Sequence, residues 1–205
     1  NSQNSNDVIT GNIEKKLGIH GSPTCVLNFG DHDQCVGSLL FEENQGMKAM
    51  FDMMNEARLD VAVQGVALGT VAYHESRMYA LDRVQGALPG QNKSVPIVNH
   101  PDIKFNLARM KAYTEGMRAM LLKTAFWIDI SKADPDTQKR QTFKNFVEIM
   151  TPILKSYSSD YGFDLTVKGV QILGGSGYVE DYPLEQYLRD CKISSIYEGA
   201  NGIQA

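Results

Sequence analysis

Apolar residues follow two different rhythms along this chain, and the change falls near Gly46. Before it, short β-leaning stretches such as Cys25-Val-Leu-Asn-Phe29 and Val36-Gly-Ser-Leu-Leu-Phe41 are separated by Gly, Pro and Asp. Two or three such strands do not fold alone, because an isolated hairpin is marginal in water. After Gly46 the steps are three and four. A first long helix is predicted from about Met47 to Val84, with Met47, Met50, Met54, Arg58, Val61, Gly65, Leu68 and Ala72 on one face. A Gly/Pro-rich loop, Gly86 to Pro96, should end it. A second helix should start near Pro101, a residue suited to the first helical position, and carry Ile103, Leu107, Met110, Thr114, Met117, Leu121, Thr124 and Ile128. After the Asp134-Pro135 turn, a third helical region should run from about Asp136 to Leu173, kinked or divided at Pro152 and at Tyr161-Gly162. Gly174-Gly175 stops it. A short helix is expected around Pro183 to Cys191, and another near Asn201.

These segments predict a mainly α protein: an antiparallel up-and-down helical bundle over residues 46–205, preceded by a few β-strands in residues 1–45. Met54, Val61, Leu107, Met117 and Ile149 should face inward. The strands lack the rest of a sheet and the chain stops as a helix begins, so both ends read as cuts in a larger protein.

Composition narrows the function classes. The chain has 205 residues, 42% hydrophobic and 21% charged, which suits a globular protein with a real core. A net charge of −4 gives no electrostatic case for nucleic-acid binding. No apolar run approaches the roughly 20 residues needed to span a bilayer. The polar first dozen residues carry no signal-peptide pattern. The three cysteines, Cys25, Cys35 and Cys191, are too few and scattered for a disulfide framework or a zinc site. The four histidines, His20, His32, His74 and His100, show no pairing that suggests a metal or a triad. A reducing, intracellular setting is the default.

Three places could carry chemistry. Arg58 lies on the apolar face of the first helix, where a charge is costly unless paired. It is either half of a buried salt bridge between helices or a positive charge beside an anionic or polarised ligand. Gln171-Ile-Leu-Gly-Gly-Ser-Gly177 ends a helix in three glycines. Helix termination explains one glycine well and three poorly. Glycine also lets a backbone approach a ligand and present N–H groups to a phosphate. The run is neither a dinucleotide fingerprint nor a P-loop, because no strand precedes it and no Lys-Ser/Thr follows. Finally, Tyr197 and Glu198 stand directly before Gly199. A carboxylate in a tight, partly apolar turn suits a general base, although such a residue is more often a surface group or a helix-start acid.

The order and spacing of Gln171-x-x-Gly-Gly-x-Gly, Tyr182-Pro183, Arg189-Asp190 and Ile196-Tyr197-Glu198-Gly199 resemble the acyl-CoA dehydrogenase family. The resemblance extends to Lys16-Leu-Gly-Ile-His-Gly-Ser-Pro-Thr24, which looks like the end of the family's middle β-domain, and to Asn55-Glu-Ala-Arg58 and Ala80-Leu-Asp-Arg83. The wording around Asn55 and from Tyr197 to Ala205 is most like the longer bacterial members. The resemblance implies an FAD-dependent dehydrogenase that converts an acyl-CoA thioester to a trans-2-enoyl-CoA. Glu198 would take the α-proton while the β-carbon gives hydride to flavin N5. Tyr197, Gly199 and Arg58 would flank the substrate. Arg83, Gln171, Gly174 and Gly175 would line the FAD of a neighbouring subunit, with Gln85, Ala200 and Gly202 at further flavin positions. Gln85 and Gly86 stand where many members have Thr and Phe, Ala200 and Gly202 replace a Thr and a Gln, and His20 stands where Arg is frequent. The implied partners are an electron-transferring flavoprotein and a second copy, in a homodimer or homotetramer, within a bacterial cytoplasm. No metal is implied. This stretch alone is not expected to hold FAD or turn over. A related acyl-CoA oxidase, or a non-catalytic scaffold of the same fold, is the alternative; a scaffold needs none of Arg83, Gln171 and Glu198.

Overall fold

A computed structural model describes residues 6–204 and divides the chain into two compact units, Asn1–Met53 and Met54–Ala205. In the first, strands β1 (Val8–Ile13) and β2 (Cys25–Phe29) pair antiparallel, with Val8 opposite Phe29 and Ile13 opposite Cys25. The β2 expectation is met to the residue. β1 lies outside the predicted strands, because its Val8, Ile9 and Ile13 are set in a polar first dozen residues and interrupted by Thr-Gly-Asn. Val36–Phe41 forms no strand, and its Leu39 and Leu40 are 69% and 89% exposed. The Asp7 carboxylate ties the chain after β2 back to β1. It accepts hydrogen bonds from the His32 ring and backbone and from the Gln34 backbone. Those donors, the His32 ring first, hold its carboxyl below the usual value.

Helix α1 (Gly46–Asp82) begins in this unit and continues into the second. Met47 and Met50, expected inside, are exposed; the stripe becomes a core only from Met54 onward, where Val61, Gly65 and Ala72 are buried. After α1, the predicted loop is a short antiparallel hairpin of β3 (Val84–Ala87) and β4 (Ser94–Pro96). Helix α2 (Pro101–Ala133) follows, and every residue of its predicted stripe is buried or half-buried.

Helix α3 (Thr137–Leu173) is capped by the Asp136 side chain, which accepts from the backbone N–H groups of Gln138 and Lys139. It runs without a break through both Pro152 and Gly162. Proline removes a backbone N–H, and the residue one turn earlier, Glu148, lies on the exposed side, where water can serve its carbonyl. Gly162 is needed for packing. A β-carbon there would sit 2.4 Å from the Gly65 carbonyl oxygen, and one on Gly65 would sit 2.3 Å from that of Ser158. The two glycines let α1 and α3 touch backbone to backbone. Ile149, expected inside, is 61% exposed; on that stretch α3 meets α2 through Phe143 and Phe146, which pack on Trp127.

Thr70–Arg118 with Glu56–Lys132, and Tyr113–Tyr161 with Trp127–Phe146, set α2 antiparallel to both α1 and α3. Fully buried Met110, Met117, Leu154 and Leu165 contribute about 1.5–3 kcal/mol each to the core between them. A 3-10 turn, Gly174–Tyr178, leads to α4 (Leu184–Lys192), whose Leu184 fills the space beside Gly169. A second 3-10 turn, Ile193–Ser195, then brings the chain back to the middle of α1 and α3 before the terminal α5 (Asn201–Gln204).

Candidate active site

The segment Tyr197–Asn201 crosses the seam between α1 and α3 and is fastened to both. From α1, Gln64 accepts a hydrogen bond from the Tyr197 hydroxyl. Burial pushes that phenol's pKa up. Arg58, also on α1, points its Nε at the Glu198 carbonyl oxygen at 3.4 Å and one terminal nitrogen at Asn55 Oδ1 at 3.3 Å. Among the described residues Arg58 makes no inter-helix ion pair; its Nε reaches the turn that bears Glu198.

From α3, the Lys155 side chain is fully buried. Its ammonium donates to the Gly199 carbonyl oxygen at 2.7 Å and to Asn201 Oδ1 at 2.8 Å. Asn201 in turn donates through Nδ2 to Ser159 Oγ at 2.8 Å and to Asp160 Oδ1 at 2.7 Å. Burial lowers the Lys155 pKa; Asp160 and Glu198 oppose that shift, and Arg58 adds to it. Lys155 did not stand out in the sequence. The signal that could have found it is its row, Thr151, Lys155, Ser158, Ser159, Gly162 and Thr166, a buried face that is small and polar throughout.

Within these fastenings the backbone is left-handed at two consecutive residues, with φ of +57° at Glu198 and +91° at Gly199. Glycine adopts that region freely, whereas Glu198 pays roughly 1–3 kcal/mol for it. The turn leaves Glu198 half-exposed. Among the described residues, neither its carboxylate nor its backbone N–H has a hydrogen-bond partner. A free carboxylate beside a free N–H can take a proton from a ligand while donating to the oxygen on which charge develops. Glu56, the nearest carboxylate in the Asn55–Arg58 motif, is elsewhere; it is 80% exposed and sits 3.9 Å from Lys132.

Of the other predicted residues, Arg83 and Gln85 follow the end of α1, and Gln171, Gly174 and Gly175 lie at the end of α3. The Tyr79 hydroxyl donates to Ser176 Oγ at 3.2 Å, joining the last turns of α1 to the Gly174–Tyr178 turn. Arg83 follows Tyr79 by one turn; its guanidinium is exposed and unpaired among the described residues. Gln171, Gly174 and Gly175 are exposed as well. Gly174 has φ +61° and caps α3, and a β-carbon on Gly177 would collide with Val170 and Leu173. Gly175 has neither reason: its φ is ordinary, and a β-carbon there would meet nothing within 4 Å. Its open backbone is the part of the glycine run that packing does not explain. Gln85 lies in β3 with its carbonyl facing the His100 ring at 2.9 Å, and Ala200 and Gly202 are exposed near the terminus.

Residues 44–205 match the family profile for the acyl-CoA dehydrogenase C-terminal domain. The 3-methylmercaptopropionyl-CoA dehydrogenase of Ruegeria pomeroyi is 40% identical over 195 residues, which are 94% of this chain and 32% of that protein. Among solved structures, butyryl-CoA dehydrogenase from Megasphaera elsdenii is 31% identical with a TM-score of 0.78, covering 98% of this chain and 48% of the other. The acyl-CoA dehydrogenase complexed with FAD from Bacillus anthracis is 27% identical with a TM-score of 0.83, covering 97% and 34%. The chain thus spans a third to a half of the length of these relatives. No helix among the described residues is long and apolar enough to cross a membrane. With a family profile matched across most of its length, this chain belongs to the acyl-CoA dehydrogenase family, whose C-terminal domain it carries.

Proposed function

We propose that this chain supplies the catalytic base of an FAD-dependent acyl-CoA dehydrogenase that forms a trans-2-enoyl-CoA. The observation that carries the reading is the Glu198 turn, where a half-exposed carboxylate and a backbone N–H, both without partners among the described residues, sit on a left-handed backbone fastened from two helices. The carboxylate takes the α-proton of the thioester. The Glu198 N–H donates to the thioester oxygen as charge builds there, and the α–β double bond forms as the β-carbon loses hydride. Tyr197 and Gly199 flank the thioester, and Arg58 holds the turn from beneath.

The residues at the far end fit FAD. An exposed, unpaired guanidinium suits a pyrophosphate, and the open backbone at Gly175 admits a close ligand. When bound, FAD supplies the hydride acceptor. Arg83, Gln171, Gly174 and Gly175 hold it on a face shared with a second copy, with Gln85, Ala200 and Gly202 at its margin. Electrons leave through an electron-transferring flavoprotein, as in fatty acid β-oxidation, in the cytoplasm.

The test is anaerobic mixing of the full-length, FAD-loaded protein with a panel of acyl-CoAs. Bleaching of the flavin with release of a 2-enoyl-CoA is expected. Rapid reoxidation by oxygen with peroxide formation would favour an oxidase instead, and no bleaching by any thioester would favour a scaffold.

A further inference from the structure

The buried ammonium beneath the Glu198 turn has no part in the chemistry described so far. We infer that Lys155 is a positioning residue: it holds the left-handed Glu198-Gly199 backbone in place and so sets where the Glu198 carboxylate meets the α-carbon. The inference rests on the reading of Glu198 as the base.

Three observations carry it. The first is cost. Bringing a lysine ammonium into a bundle interior costs several kcal/mol even after relaxation, and an apolar side chain of the same length would pack α3 more cheaply. Burial already drives the Lys155 pKa down, which reports the same penalty. A charge kept there against that cost needs a role that packing does not provide.

The second is where the ammonium points. Its two acceptors, the Gly199 carbonyl oxygen and Asn201 Oδ1, both lie in the segment that follows Glu198 by one and three residues. Neither is on α1 or α2, so these bonds do nothing to join the long helices. Asn201 extends the same fastening by donating to Ser159 and Asp160, one turn along α3 from Lys155. A charge-assisted bond is short and directional, which suits fixing a carbonyl plane.

The third is the strain itself. A non-glycine residue in the left-handed region persists only where its surroundings over-determine it. The Glu198 carbonyl is held by Arg58 from α1 and the Gly199 carbonyl by Lys155 from α3. Of the two, the Lys155 contact is shorter, 2.7 Å against 3.4 Å, and lies in the drier place. Without it, the peptide plane after Gly199 is free to rotate, and the left-handed Glu198-Gly199 backbone, with the carboxylate and N–H it carries, loses its anchor on α3. Displacements of about 1 Å in a reacting group can cost on the order of 10²-fold in rate.

The experiment uses the full-length, FAD-loaded protein with its best acyl-CoA, in four forms: wild type, Lys155→Met, Glu198→Gln and the double variant. FAD content, acyl-CoA dissociation constant and the rapid-mixing rate of flavin reduction are measured for each. Lys155→Met is expected to keep its FAD, to bind acyl-CoA within roughly threefold of wild type, and to reduce flavin about 10²-fold more slowly. Because Lys155 acts only through Glu198, the double variant should be no slower than Glu198→Gln alone. Losses that add up in the double variant, or a wild-type rate in Lys155→Met, overturn the inference while leaving Glu198 as the base. A wild-type rate in Glu198→Gln overturns the base assignment and the inference with it. Should Lys155→Met fail to fold, Asn201→Ala opens the same fastening from the half-exposed side. It must show the same slowing at unchanged acyl-CoA affinity; an unaltered rate there also overturns the inference.

Discussion

Around Glu198 the backbone is held from two helices, by Arg58 and by Lys155, while the Glu198 carboxylate and N–H have no hydrogen-bond partner among the described residues. Around Arg83 the arrangement is reversed: its guanidinium has no partner among the described residues, and Gln171 and Gly175 are exposed to solvent. The first region is finished within one chain, in the sense that its geometry is determined by contacts already present. The second is a set of exposed groups that the proposed function assigns to a ligand outside the bundle. A base must be placed to a fraction of an ångström, whereas a phosphate-binding face can remain open until its ligand and a second subunit close over it.

That contrast can be broken most sharply at the seam beneath the base. Gly162→Val would place side-chain carbon against the Gly65 carbonyl, and no rotamer relieves a contact made at the β-carbon. A loss of about 3 kcal/mol or more is expected, read as a large fall in the thermal midpoint of the full-length protein. At the open end the expectation is opposite in kind. Arg83→Ala should leave the thermal midpoint of the FAD-free protein unchanged and weaken FAD retention by roughly 10- to 100-fold, the worth of a charged hydrogen bond or two. Unchanged FAD affinity would remove Arg83 from the flavin face.

Cys191 gives a smaller test on the closed side. Burial pushes its thiol up to about 11, so only about one molecule in a thousand carries the thiolate at pH 8. It should resist thiol reagents until the bundle unfolds. Since the folded state holds that proton more tightly than the unfolded one, stability should fall as the pH rises from about 9 towards 11. The smallest effect belongs to Ile149. As an exposed residue it should tolerate Ala within about 0.5 kcal/mol, whereas Met117→Ala, at a fully buried position, should cost about 2–5 kcal/mol.

How much of this was legible in the sequence follows the same division. The α2 stripe could be read residue by residue because the helix is covered along its length by α1 and α3, so periodicity and burial coincide. Along α1 and α3 they part company. Met47, Met50 and Ile149 keep the period on stretches that the bundle does not cover. Gly162 reads as a breaker in one dimension and is a close helix contact in three. The β3–β4 hairpin is too short and glycine-rich to register as alternation. Glu198 was legible from the motif around it, whereas its left-handed backbone was not, since an acidic residue gives no sign of positive φ. Lys155 was invisible for a plainer reason: a lysine on a helix is read as solvated, and only the small polar residues along its row mark the interior it enters.

The claim at the centre of this account is that Glu198, and no other carboxylate, takes the α-proton. The rival is Glu56, the carboxylate of the Asn55–Arg58 stretch on α1, which is 80% exposed and directed at Lys132. The most direct measurement is rapid mixing of acyl-CoA with FAD-loaded, full-length Glu198→Gln and Glu56→Gln, side by side. Glu198→Gln should bind FAD and acyl-CoA yet bleach the flavin about 10²–10⁴-fold more slowly or worse, while Glu56→Gln bleaches at the wild-type rate. Fast bleaching in Glu198→Gln, with the loss in Glu56→Gln instead, would contradict it.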